Sequence, residues 1–414
     1  MRYLATRRGL STLRTMAAIA ASAAAAVAAP SVATAAVTRT AAATRCAPQG
    51  PVAARAPESS WAQRAMDPQR ITPFADGRSV TVAVLDSGVD ARHPQLRGQV
   101  LPGRDFLAGG RGSVDCHGHG TGVAGVIAAR PAPRSALLGL APGVRILPIR
   151  LTERHEANGQ TTGAGADAGQ LAAAIRWSVD QGADVLNLSL TLYRDDPAVR
   201  KAVAYAVDRD VIMVAAVGNH HDQSARQQGV PDPVPYPAAY PGVLGVGAVD
   251  PTGGRVADSQ VGGYVDVVAP GGQIVVAWPG GYSAQSGTSF ATPFVSATAA
   301  LVRQRWPGLT AQQVARRVVA TADPAAGGRA AYGHGMVSPY RAVSDPPGAS
   351  AAATLPPLGA GGDHGRSTLL AERDRSARTA LALAAAGGGV LLAAGVAATV
   401  TARGRRRRWR PAAS

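Results

Sequence analysis

Aromatic side chains make up only 4% of this chain, and cysteine occurs just twice in 414 residues. A large core must therefore be filled by Ala, Val and Leu, which the 46% hydrophobic content supplies. Acidic residues are also scarce: 26 Asp and Glu stand against 42 Lys and Arg, for a formal charge of +16, and the first 40 residues contain no acid at all. That excess is concentrated at the ends. Arg2, Arg7, Arg8 and Arg14 precede the first apolar run, and Arg403, Arg405, Arg406, Arg407, Arg408 and Arg410 close the chain, so setting these ten aside leaves only +6 for the rest. The distribution argues against nucleic acid, and none is expected as a partner.

Missing motifs exclude several chemistries. The stretch Arg154 to Gly159, RHEANG, lacks the second histidine of HExxH, and the pair His117 and His119 has no third ligand at a suitable spacing. The loop from 152 to 169 lacks the dense alternation of oxygen ligands that a calcium loop requires. No metal and no cofactor are expected. Asp86-Ser87-Gly88 occurs once, whereas an aspartic protease needs two such carboxylates, and GxSxG is absent.

The ends of the chain carry targeting features. A four-arginine segment followed by MAAIAASAAAAVAAP and by small residues predicts a signal peptide over 1–36, with cleavage near Ala35 or Ala36. Residues 379–402 form an uncharged, mostly apolar run of 24, long enough at about 1.5 Å per residue to cross roughly 30 Å of hydrocarbon. A buried hairpin is the alternative, but the basic block of the tail, 403–414, favours a transmembrane helix whose C-terminus is cytoplasmic. The expected location is the cell membrane, single-pass, with the bulk of the chain extracytoplasmic. Residues 37–78, with five prolines and no sustained periodicity, read as an extended arm, and 344–378 as a Pro/Gly/Ala-rich linker. The folded body is 79–343.

Within that body short β-branched runs, among them VTVAVLD, VRILPIR, ADVLNLSL, VIMVAAVGN and VLGVGAV, suit a sheet buried on both faces. Gly169–Asp180 and Pro197–Asp208 have helical periodicity, the second capped by Asp195 or Asp196. The expected fold is an α/β sandwich with a mostly parallel central sheet. Chemistry in such folds gathers at the C-terminal ends of strands. There the sequence places Asp86 at the end of a strand, His119 at the start of a helix and Ser289 at the start of another. A serine hydroxyl is a poor nucleophile unless a histidine takes its proton, and the histidine needs a carboxylate to orient it. A helix N-terminus also presents the Ser289 N–H to an oxyanion, and Asn219, after AAVG, offers a second donor.

These motifs, DSG, HGTGVAG and GTSFATP in that order, resemble those of the subtilisin-like serine proteases over about 260 residues. The resemblance implies the three-layer subtilisin-like sandwich, a serine endopeptidase with Asp86, His119 and Ser289 as catalytic triad, Asn219 in the oxyanion hole, and Ser189, Leu190 and Thr191 pairing with an extended protein or peptide substrate. Thr191 stands where the family often has glycine. The short N-terminal arm, a cysteine just before the histidine motif and an anchor with a basic tail resemble the mycosins, which implies association with a type VII secretion membrane complex. A mainly structural role in such a complex, with narrow or minor proteolysis, is the competing expectation. His117 is expected to contact solvent or give polarity on the substrate side. In an oxidising ectodomain two cysteines allow one intramolecular pairing, Cys46–Cys116, closing a loop of about 70 residues worth on the order of 4 kcal/mol; two free thiols, with Cys116 near the active site, are the alternative.

Overall fold

The computed structural model describes residues 52–346, except 57, 134, 154, 158–159 and 163–164. The predicted signal peptide, the start of the arm with Cys46, most of the linker, the transmembrane helix and the tail lie outside the described residues. Among those described, no helix is long and apolar enough to cross a membrane.

In chain order the strands are β1 (Thr81–Asp86), β2 (Arg104–Asp105), β3 (Arg145–Arg150), β4 (His155–Ala157), β5 (Gln160–Thr162), β6 (Val185–Leu188), β7 (Ile212–Ala216), β8 (Val243–Val249), β9 (Val267–Pro270), β10 (Ile274–Trp278) and β11 (Gly281–Gln285). The helices are α1 (Trp61–Met66), α2 (Pro68–Ile71), α3 (His119–Ala128), α4 (Ala168–Asp180), α5 (Pro197–Asp208), α6 (Gln223–Gln227), α7 (Thr288–Arg305), α8 (Ala311–Ala320), α9 (Arg329–Tyr332) and α10 (Pro339–Ser344). Seven strands form one parallel sheet in the order β2-β3-β1-β6-β7-β8-β9.

Side-chain alternation along β1 divides the core in two. Val82 and Val84 join the cluster that holds α3, α7 and α8, whereas Ala83 and Leu85 join the cluster that holds α4 and α5. Helices thus cover both faces, which explains why the strands read as continuous apolar runs. The helix α7 is buried along most of its length and packs against β6, β7, β8 and β9. Local signals set the outer helices. Asp167 and Gln170 form a reciprocal capping box at α4. At α5 the cap is Asp196, which accepts from the N–H groups of Ala198 and Val199, while Asp195 instead pairs with Arg200. Asp184 ties the start of β1 to β6 by accepting from Thr81 N at 2.8 Å.

Two features depart from the sequence reading. The arm is not extended throughout, because Ser60 caps α1 and Asp67 caps α2 within it. Trp61 then anchors it to the body by donating its indole N–H to the Gly272 carbonyl at 2.9 Å. The second is the antiparallel hairpin β10–β11, turned at Pro279 and Gly280, to which the arm adds a bridge between Ala53 and Tyr282.

Candidate active site

The chain leaves β1 toward β3 on one side and returns to β6 on the other, so the C-terminal end of β1 lies at the point where strand order reverses. Asp86 is the last residue of β1 and is fully buried. Its Oδ1 accepts from the backbone N–H of Ser87 and lies 2.7 Å from Nδ1 of His119, the first residue of α3. The imidazole is 27% exposed while its carboxylate partner is 0% exposed, so the ring reaches solvent in part while Nδ1 is held from inside.

Two glycines make this approach feasible. A Cβ on Gly120 would lie 2.0 Å from the Gly88 carbonyl oxygen and 3.1 Å from Asp86 Cβ, so only glycine lets the first turn of α3 settle on the end of β1. Gly118, the residue before the helix, has φ +99° and packs under the Trp278 ring. Beneath them lies Asp115, 1% exposed, which the motif reading passed over. Its Oδ1 accepts from Ser87 Oγ, His117 N and Gly118 N at 3.0, 2.9 and 2.8 Å, and its Oδ2 accepts from Thr121 N and Oγ1 at 2.9 and 2.6 Å. Burial pushes this carboxyl above the usual carboxylate range, and the donors from Thr121, Gly118 and His117 pull the other way. Ser87 Oγ in turn accepts from Gly120 N at 2.9 Å, so one buried carboxyl organises the loop that presents His119. An acid just ahead of a helix start was the signal available for it. His117 is buried in this loop rather than solvent-facing.

Ser289 is the second residue of α7, and its neighbour Phe290 packs its ring 4.7 Å from the His119 ring. Asn219, in the turn after β7, accepts through Oδ1 from both N–H and Oγ1 of Thr288 at 2.9 and 3.0 Å. That pair fixes the amide so that Nδ2 is its donor toward the head of α7. His220, next to Asn219, stacks on Tyr193 with ring centroids 4.6 Å apart, which joins this turn to the segment after β6. In that segment Leu190 and Thr191 are half-buried and Thr191 Oγ1 donates to Tyr193 OH at 3.3 Å. Ser189 differs from its neighbours: it is buried, and its hydroxyl donates to the Ser289 carbonyl at 2.8 Å. Cys116 is disulfide-bonded. Among the described residues no group of three or more His, Cys, Asp or Glu is placed to hold a metal ion.

The sequence profile of the subtilase family matches residues 77–336, from just before β1 to between α9 and α10. The chain belongs to the subtilases. Like other members it is a serine endopeptidase. It is 34% identical to subtilisin DY of Bacillus licheniformis over 263 residues, 63% of this chain and 90% of that one. It is 35% identical to mycosin-1 of Mycolicibacterium smegmatis over 328 residues, 69% of this chain and 72% of that one. Among solved structures, the serine protease MycP1, described as an essential component of the type VII (ESX-1) secretion system, superposes with a TM-score of 0.60 at 34% identity, covering 72% of this chain and 92% of that one. For this subtilase, then, Thr288 and Phe290, which flank Ser289 within GTSFATP, touch Asn219 and His119, whereas Asp115, which bonds the loop ahead of His119, lies outside every motif read from the sequence.

Proposed function

We propose that this subtilase hydrolyses peptide bonds through Ser289, His119 and Asp86. Ser289 Oγ attacks the scissile carbonyl carbon while His119 Nε2 takes its proton. Asp86 holds Nδ1–H, so that Nε2 is the basic nitrogen and the imidazolium is stabilised. The oxygen of the tetrahedral intermediate receives hydrogen bonds from Asn219 Nδ2 and the Ser289 N–H at the positive end of α7. Imidazolium then protonates the leaving amine as the C–N bond breaks, giving an acyl-enzyme, and water repeats the cycle to release the acid. The observation that carries this reading is the 2.7 Å contact between Asp86 and His119 beside the head of α7. Fluorophosphonate should label wild-type protein on Ser289 and fail to label Ser289→Ala, and label on another residue refutes the assignment.

The substrate is an extended protein segment lying along 189–191. The likeness to mycosin-1 and to MycP1 supports a place beside a type VII secretion complex, with the body outside the cytoplasm and residues 379–402 as the anchor. Cells carrying Ser289→Ala should release uncleaved forms of exported proteins. Loss of export altogether, restored by Ser289→Ala as well as by wild type, would instead show that the structural role is the essential one.

A further inference from the structure

The fifth residue after Thr288 in α7 is Pro293, a proline inside a helix. Proline has no N–H, and its ring crowds the carbonyl four residues earlier. That carbonyl belongs to Ser289. It is therefore deprived of its helical donor at the residue proposed as nucleophile, beside the buried side chain of Ser189. The hydroxyl of Ser189 occupies that role, donating to the Ser289 carbonyl at 2.8 Å.

The direction of this bond is set by the groups behind it. The carbonyl can only accept, so Ser189 Oγ–H must donate, and the same oxygen then accepts from Asn187 Nδ2 at 2.9 Å. Asn187 Oδ1 accepts in turn from Ser296 Oγ at 2.8 Å. Asn187 and Ser296 are fully buried and Ser189 is nearly so. Ser296 lies seven residues after Ser289, two turns along the same face of α7. The end of β6 thus grips α7 at two points, and one of them is the nucleophile's own peptide.

We infer that Ser189 is a positioning residue: its hydroxyl replaces the N–H that Pro293 lacks and fixes the peptide plane from which the Ser289 side chain projects. The proposal rests on Ser289 being the nucleophile. It also changes what the segment 189–191 does. Its first side chain faces the nucleophile's backbone rather than substrate, so the Ser189 hydrogen bond links the substrate strand directly to the nucleophile's own peptide. Ser189→Ala leaves the backbone that would pair with substrate unchanged but removes the donor to the Ser289 carbonyl, which rotates to find another partner and carries Ser289 with it.

The test uses the full chain, with a fluorogenic peptide and a fluorophosphonate. Ser189→Ala should lower kcat and the labelling rate by about 10- to 100-fold, the scale of a displacement below or near 1 Å at a reacting atom, with KM within about twofold of wild type. In Ser189→Ala/Pro293→Ala the new N–H at 293 can bond Ser289 within the helix, and the double variant should recover at least about fivefold of the lost kcat. A substrate-binding role for Ser189 predicts instead a raised KM and no rescue by a change at 293. Ser289 labelled at equal rates in wild type and Ser189→Ala overturns the proposal alone; wild-type protein with no label on Ser289 overturns the nucleophile assignment and the proposal with it. If the double variant fails to fold, judged by thermal melting, the kcat and KM of the single variant decide.

Discussion

A methyl group at position 120 would sit 2.0 Å from the Gly88 carbonyl oxygen, where side chains do not come within 3.0 Å, so Gly120→Ala must move the start of α3 by about 1 Å from the end of β1. The methyl is fixed to the helix backbone and the oxygen it meets is backbone, so no flexible side chain can swing aside to absorb the contact. The Asp86 to His119 bond spans this same gap at 2.7 Å, and a shift of that size takes it beyond hydrogen-bonding distance. Stability should suffer modestly. Overpacking costs about 1–3 kcal/mol, and replacing glycine by alanine in a helix returns nearly 1 kcal/mol. Activity should suffer far more, because a misplacement near 1 Å costs about 10²-fold and the base also loses its orienting carboxylate. The assay pairs a thermal melt with kcat for a peptide substrate. Gly308→Ala, whose added Cβ would meet nothing within 4 Å, is the control and should match wild type in both. A Gly120→Ala protein with wild-type kcat would refute the claim that this contact sets the histidine.

Asn219→Ala should reduce kcat by about 10²- to 10³-fold with little change in KM, since an oxyanion donor acts on charge that develops only in the transition state; an equal loss expressed in KM would contradict that role. Asp266 provides a test of pH dependence. Loss of solvation pushes its carboxyl up to about 7, against the pull of the Gly245 N–H at 2.8 Å and of Arg329. Between the ordinary 3.8 and about 7 the folded chain therefore keeps a proton that the unfolded chain has lost. The stability this group carries is complete below the lower value, declines by up to about 1.4 kcal/mol per pH unit, and is gone above the upper one. In a Ser289→Ala background, which prevents self-digestion, Asp266→Asn should melt with its parent at pH 4 and above it at pH 8, and parallel melting at both would contradict the shift. Peptide mapping without reductant should recover Cys116 joined to Cys46, and alkylation of both thiols without reductant would exclude the bond.

Much of the architecture is legible along the chain because its signals are local. β1 and β3 begin one residue inside the apolar runs that predict them, and α4 and α5 fall on the periodic segments 169–180 and 197–208. The hairpin β10–β11 escapes such a reading, since IVVAWPGGYSAQ acquires its pairing only from a two-residue turn and from packing of β10 against α3. α1 and α2, of six and four residues, are too short for periodicity to reveal them and are held by their caps and by Trp61.

The chemical types at the site were likewise set by sequence: a carboxylate at 86, an imidazole at 119, a hydroxyl at 289 and an amide at 219. What sequence could not set was distance. Asp86 and Ser289 lie about two hundred residues apart in the chain, and each group sits at or just beyond the end of a different strand or helix, so their separation depends on how β1, α3, β7 and α7 pack in the folded core. The same holds for Asp115 and Ser189. A buried acceptor for five donors and a hydroxyl that replaces a missing helical N–H are properties of the surrounding backbone, because a hydrogen bond acts over about 3 Å of space whatever the number of residues between its partners.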